Sequence, residues 1–215
     1  MNAAVPNPDR NADASRRIEQ TLESAFAACP PTEVLRAARY ATLGGGHRWR
    51  GQLAMAAGAI FRADADEFVL PLAAGIEMLQ AASLVLDDLP SMDNAAMRRG
   101  RACVHLVFPD WAVDLLPAFL VNLAYQTVAG HAAASGECRI RALTLLGEMG
   151  TRLAHGQELD LALAKKSATE SELLECYALK SGSLFAAALA GGATLCGAGA
   201  ADVAALREAG LKLGQ

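Results

Sequence analysis

The stretch Glu77-Met-Leu-Gln-Ala-Ala-Ser-Leu-Val-Leu-Asp-Asp-Leu-Pro-Ser-Met-Asp-Asn-Ala-Ala-Met-Arg-Arg-Gly100 decides how this chain is read. An apolar run delivers two adjacent carboxylates, Asp87 and Asp88, to the point where Pro90 disfavours further helix. Asp93 follows, and then the basic pair Arg98-Arg99. Acids clustered at a helix end beside fixed cations make a poor core. They suit a divalent metal that holds a phosphate, because Mg²⁺ takes hard oxygen ligands and shares its shell with phosphate oxygens. The bland alternative is a solvated turn in which acids and arginines pair.

Outward from that stretch, the composition is helical. Of 215 residues, 53% are apolar but only 5% aromatic, so Ala, Leu and Val carry the core. Ala and Leu are strong helix formers, and no segment sustains a two-residue alternation. The expectation is an all-α protein packed closely through small side chains. A net charge of −4 with scattered basic residues gives no case for nucleic acid. Five cysteines without CxxC spacing read as buried thiols in a reducing compartment, which points to the cytoplasm. Residues 1–14 are polar, carry Pro6 and Pro8 and lack the apolar region of a signal peptide, so a flexible tail is expected there. Two uncharged spans, 115–136 and 181–201, are long enough to test against a membrane. The first holds Pro117, Asn122, Gln126 and His131, and the second is mostly Ala and Gly, so no membrane span is expected.

In chain order, a helix capped by Asp13 or Ser15 precedes Pro30-Pro31, with Ile18, Leu22 and Phe26 on one face. Thr32 caps a helix over 33–43. Gly44-Gly45-Gly46 lets the backbone turn sharply or approach a ligand. Arg48 and Arg50 follow at once, and arginine is well shaped for bidentate phosphate recognition. Further helices are expected over 52–61, 67–86, 113–133 and 138–163, then from Glu170 to about Lys180, with one or two more over 184–215. Gln157 and Asp160, three apart in an apolar helix, share a face and need partners. His105, His131 and His155 lack an i, i+4 histidine and read as satisfied core or surface groups. Trp49 and Trp111 read as packing anchors. No linker divides residues 15–215, which are taken as a single domain.

Four motifs in order then resemble the trans-isoprenyl (polyprenyl) diphosphate synthases, most closely the bacterial geranylgeranyl/farnesyl type. DDxxxxD followed by RRG is Asp87-Asp88 to Asp93 and Arg98-Arg99-Gly100. The GGKRxRP loop is Gly45-Gly46-His47-Arg48-Trp49-Arg50-Gly51. GQxxDL is Gly156-Gln157-Glu158-Leu159-Asp160-Leu161, and the KT(S)G segment is Lys180-Ser181-Gly182. The resemblance implies a bundle of long antiparallel helices around a central apolar cavity, dimeric, that condenses an allylic diphosphate head-to-tail with isopentenyl diphosphate. It implies that Asp87 and Asp93, with Asp88 beside them, hold Mg²⁺. Arg98 and Lys180 then meet the allylic diphosphate, Arg50 and Arg99 the diphosphate of isopentenyl diphosphate, and Ser181 the allylic cation. Gln157 belongs to the same substrate site.

Three departures accompany the resemblance. His47 stands where the family has lysine, and Gln80 where it usually has histidine, which predicts a weakened or altered homoallylic site. The chain stops at Gly210-Leu-Lys-Leu-Gly-Gln215, where the family continues into a second motif, FQxxDDxxD. The expectation is an incomplete synthase, or alternatively a non-catalytic subunit that dimerises with a complete one. Product length is expected at Ala82 and Ser83, five and four residues before Asp87. The family limits chain length with bulk there, so a small residue favours a C20 product over C15.

Overall fold

The computed structural model describes residues 8–165 and 167–215. Their helices are α1 (Pro8–Ala27), α2 (Glu33–Leu43), α3 (Trp49–Ala59), α4 (Ala65–Asp87), α5 (Asp110–Ala129), α6 (Gly136–Leu163), α7 (Glu170–Tyr177), α8 (Ser183–Leu195) and α9 (Ala200–Leu213). α4 is the hub and packs against α1, α2, α3, α5 and α8. Ile18, Leu22 and Phe26 are fully buried, as their spacing predicts, within one contiguous core. Small residues set the helix spacing. A Cβ on Gly192 of α8 would run into the Ala54 carbonyl of α3, and one on Gly58 of α3 into Val69 of α4.

Local signals fix most boundaries. Thr32 accepts the Leu35 N–H and starts α2, and Thr169 forms a reciprocal capping box with Glu172 at α7. α4 stops at Asp87, three residues before Pro90, and the Asp93 N–H then donates to the Asp87 carbonyl at 2.9 Å. Several expectations change. α1 already begins at Pro8, so Asp13 and Ser15 lie inside it instead of capping it; proline is tolerated in a first helical turn. Residues 1–7 of the expected tail lie outside the described residues. α3 starts at Trp49 rather than 52, and α5 spans Asp110–Ala129 rather than 113–133. The helix expected to run through Lys180 widens into a single π-turn, Ala178–Gly182, before α8.

The RRG segment is a small antiparallel hairpin, β1 (Met97–Arg98) with β2 (Arg101–Ala102). Its two turn residues, Arg99 and Gly100, have φ of 52° and 74°, the left-handed pair that a tight hairpin turn demands. Trp49 and Trp111 are 64% and 56% exposed, so they are not the packing anchors expected. Among the described residues, three helical segments (Ala65–Asp87, Asp110–Ala129 and Glu170–Leu195) are long and apolar enough to cross a membrane by length and composition. Within the fold, 67% of the α4 window is buried against neighbouring helices.

Candidate active site

Gln80, Ser83 and Asp87 lie three and four residues apart, so they share one stripe of α4. This stripe contributes to the walls of two hollows. The upper one has a volume of about 510 Å³ and an almost wholly apolar wall that includes Leu86, Met92, Leu153 and Leu161, with Ser83, Asp87 and Gln157 among its polar members. Asp87 is half-buried, and Asp93 is exposed. Burial pushes the Asp87 carboxyl above its ordinary range, and the negative charge of Asp93 adds to this, while Lys180 and Arg98 oppose it. An acid held in that state gains from any cation placed between it and Asp93.

Lys180 reaches the same region from the π-turn. Its Nζ lies 2.6 Å from Asp160 Oδ2 on α6. Burial disfavours its charge, but the hydrogen bond to Asp160 and the fields of Asp87 and Asp93 outweigh that and raise its pKa. The turn can lie so close because Gly156 has no side chain: a Cβ there would strike the Lys180 backbone. This is the partner that Asp160 required. Gln157 has none, and both of its amide heavy atoms are buried without a hydrogen bond beside the apolar hollow. Ser181 is half-buried in the π-turn next to Lys180.

Asp88 departs from the metal-ligand expectation. Its residue is 4% exposed, and both carboxylate oxygens accept from Arg98, at 2.5 to 3.2 Å. The one-residue step from Asp87 turns it about 100° around α4, toward the hairpin and away from Asp93. Arg98 is correspondingly spent on Asp88, which raises its pKa. Ala82 departs for the same reason. It is 3% exposed in the core, while its neighbour Ser83 lines the hollow.

The lower hollow, of about 280 Å³, is basic and brings together His47, Arg50, Gln80 and Arg99, with Glu77 and Phe185. The Arg50 guanidinium sits 4.4 Å from the Phe185 ring centre. Burial lowers the Arg50 pKa, Glu77 opposes this, and Arg99 adds to it. Burial also lowers that of Arg99, helped by Arg48. Two partly buried arginines facing one hollow, with Glu77 as their nearby counter-charge, would gain from a diphosphate placed between them. The glycines turn out to serve the hairpin. The Arg99 guanidinium occupies the space of a Gly46 side chain and donates to the Gly45 carbonyl, and Arg101 occupies that of Gly44. Arg48 also borders this hollow, but it is 3% exposed and its guanidinium is turned to Glu19 and Glu77.

Sequence reasoning missed Glu77, the inward turn of Arg48, and Phe185. Glu77 did leave a signal, as an acid ten residues before Asp87 in an otherwise apolar helix. For a divalent cation, the described residues hold no cluster of three or more His, Cys, Asp or Glu side chains placed to bind one. Mg²⁺ does not require such a cluster, since one or two carboxylates plus phosphate oxygens and waters complete its shell. Asp87, in the wall of the apolar hollow, and Asp93, close enough to raise the Asp87 pKa, fit that mode with Lys180 nearby; Asp88, paired with Arg98, does not.

A family model described as polyprenyl synthetase matches residues 31–215. A probable farnesyl diphosphate synthase of Bradyrhizobium diazoefficiens is 36% identical over 87% of this chain and 57% of its own length. Geranylgeranyl pyrophosphate synthase 4 of Arabidopsis thaliana is 31% identical over 89% of this chain and 52% of its own. The chain therefore spans about half the length of the curated relatives it matches. Among solved structures, geranylgeranyl pyrophosphate synthetase from Pyrococcus horikoshii superposes with a TM-score of 0.88 at 27% identity, covering 96% of this chain and 62% of that one.

Proposed function

The chain belongs to the polyprenyl synthetase family, and on that footing we propose that it serves the head-to-tail condensation of isopentenyl diphosphate with an allylic diphosphate. The observation that carries this reading is the pairing of hollows along one stripe of α4: an acid-mouthed apolar one and a basic one. Asp87 and Asp93 would hold Mg²⁺, which, when bound, stabilises the negative charge on the departing diphosphate. Lys180, kept protonated by Asp160, offers a fixed cation to the same oxygens. Ser181 and the backbone carbonyls that a π-turn loosens from the helix ladder face the positive carbon left behind. The apolar wall excludes water that would quench it. Arg50 and Arg99 hold the diphosphate of isopentenyl diphosphate, with His47 and Gln80 as weaker contacts. Its double bond attacks the cation, a carbon–carbon bond forms, and a proton leaves the neighbouring carbon.

A C20 product is favoured over C15, because Ser83, the α4 residue of the hollow's wall about one turn before Asp87, is small. A dimer is proposed as well. Met97 on the hairpin, Leu106 in the 3₁₀ turn after it, and Trp111 and Leu115 near the start of α5 are all more than half exposed. All five cysteines are free, which supports a reducing, cytoplasmic setting. The test is incubation with Mg²⁺, labelled isopentenyl diphosphate and C5, C10 and C15 allylic diphosphates in turn. A longer labelled prenyl diphosphate, lost on chelation of the metal, is the expected result. Absence of both product and Mg²⁺-dependent diphosphate binding would defeat the reading.

A further inference from the structure

Glu77 is a buried carboxylate in the middle of an apolar helix, and the chemistry above gives it no part. It is 6% exposed. Oε1 accepts the Gly51 backbone N–H at 3.0 Å, and Oε2 lies 3.7 Å from an Arg48 guanidinium nitrogen. Those two contacts straddle the start of α3. A helix start leaves its first N–H groups without partners, and a side chain of the preceding residue normally accepts one of them. Here that residue is Arg48, which has a left-handed backbone at φ 55° and supplies no such bond. It has only donors to offer, and its guanidinium turns instead to Glu19 of α1 at 3.2 and 3.3 Å. The cap is therefore supplied from another helix. Gly51 itself is wedged, since a Cβ there would meet Ile18 of α1 and the Ala73 carbonyl of α4.

We propose that Glu77 is a positioning residue of the basic hollow: it caps α3 from α4 and so fixes the turn that aims Arg50 at a diphosphate. Arg50 directly precedes Gly51 and spans from this turn to the Phe185 ring on α8. A shift of α3's first turn would carry His47, Trp49 and Arg50 with it. Arg99, across the hollow, is held separately through Gly45. The two arginines thus converge only while α3 keeps its place. Glu77 does not touch substrate in this assignment; it acts through Gly51. Its negative charge near Arg50 and Arg99 also steadies two guanidinium groups that burial disfavours.

This inference rests on the reading that the hollow takes the diphosphate of isopentenyl diphosphate. The test is calorimetric titration of the whole chain with inorganic pyrophosphate and with isopentenyl diphosphate, for the wild type, Glu77→Gln and Glu77→Ala. Hydrogen exchange at the Gly51 amide is followed in parallel, and thermal melting establishes that each variant is folded. Gln keeps an oxygen acceptor for Gly51 and removes the charge, whereas Ala removes both. The expected result is a Kd within threefold of wild type for Glu77→Gln, with Gly51 still protected. For Glu77→Ala the expected result is a loss of tenfold or more, with fast exchange at Gly51. Equal losses in both variants would assign the effect to charge and overturn the capping role, as would wild-type affinity in Glu77→Ala. Failure of the wild type to bind either ligand would instead bring down the reading of the hollow, and this inference with it.

Discussion

At the residue scale, Asp87 and Asp88 are neighbours with opposite duties, and their environments predict opposite behaviour on mutation. Asp87 is ionised against burial, so its folded-state pKa lies above its unfolded one. Between those two values the native state binds the extra proton, and stability therefore falls as pH rises through that window. Asp87→Asn should then melt higher than wild type at pH 7, with the difference vanishing toward acid pH where both forms are neutral. The same variant should lose Mg²⁺-dependent pyrophosphate binding. Melting curves from pH 3 to 8 and calorimetry check both halves; a lower melting temperature at pH 7 would refute the burial argument. Asp88 is a structural anchor, and its ion pair with Arg98 is lopsided, with side-chain exposures of 5% and 39%. Removing the exposed partner strands the buried charge, whereas removing the buried one lets the arginine return to water. Arg98→Ala should therefore cost about 2–3 kcal/mol, discounted from a fully buried pair, and Asp88→Asn about 1 kcal/mol. Urea unfolding measures the asymmetry, and equal losses would contradict it.

At the scale of elements, glycines that look alike in sequence have separable consequences. Gly192 lets α8 lie on the Ala54 carbonyl of α3, and neither residue lines a hollow of the site, whereas Gly156 lets α6 lie on the turn that carries Lys180. Gly192→Ala must push two packed helices apart, so it should lose about 1–3 kcal/mol of stability with little change in ligand affinity per folded molecule. Gly156→Ala should displace Lys180 and Ser181, and weaken binding of an allylic diphosphate with Mg²⁺ tenfold or more. Denaturant unfolding and calorimetry on both variants separate the two; loss of allylic affinity in Gly192→Ala alone would reverse the assignment. What was legible in the sequence divides along the same line. α2 was readable to the residue because its signal is local, a Thr32 cap before a periodic apolar run. The π-turn was not, because it is imposed by contact with Gly156 rather than by its own residues. Nor was the hairpin, since strands of two residues are too short to show alternation. The structure brings His47, Arg50, Gln80 and Arg99 to one hollow and Ser83 and Asp87 to another, but motifs do not encode rotation about a helix axis. Hence Asp88 and Ala82, each one residue from a side chain that faces a hollow, were assigned to the site and belong to the framework.

For the whole molecule, that rotation bears on which chain length the apolar hollow accepts. Its wall descends from Asp87 past Ser83 on α4, and along α6 from Leu161 to Leu153, eight residues or about 12 Å of helix. Ser83 keeps its hydroxyl on its own helix, donating to the Gln80 carbonyl at 3.0 Å, so it intrudes little on the hollow. Bulk at Ser83 should therefore shorten the hollow, whereas bulk at Ala82 would enter the packed core. Ser83→Phe should bind a C15 allylic diphosphate in preference to C20, the reverse of wild type, with the order changing by tenfold or more. That magnitude follows from denying burial to one five-carbon unit, at about 0.8 kcal/mol per methylene. Ala82→Phe should leave the preference alone and destabilise the fold by about 1–3 kcal/mol through overpacking. Binding of the C10, C15 and C20 diphosphates by calorimetry reads the preference whether or not turnover is fast. A preference that moves with Ala82 and not with Ser83 would mean that the hydrocarbon chain follows a different path, on the face of α4 that here packs into the core.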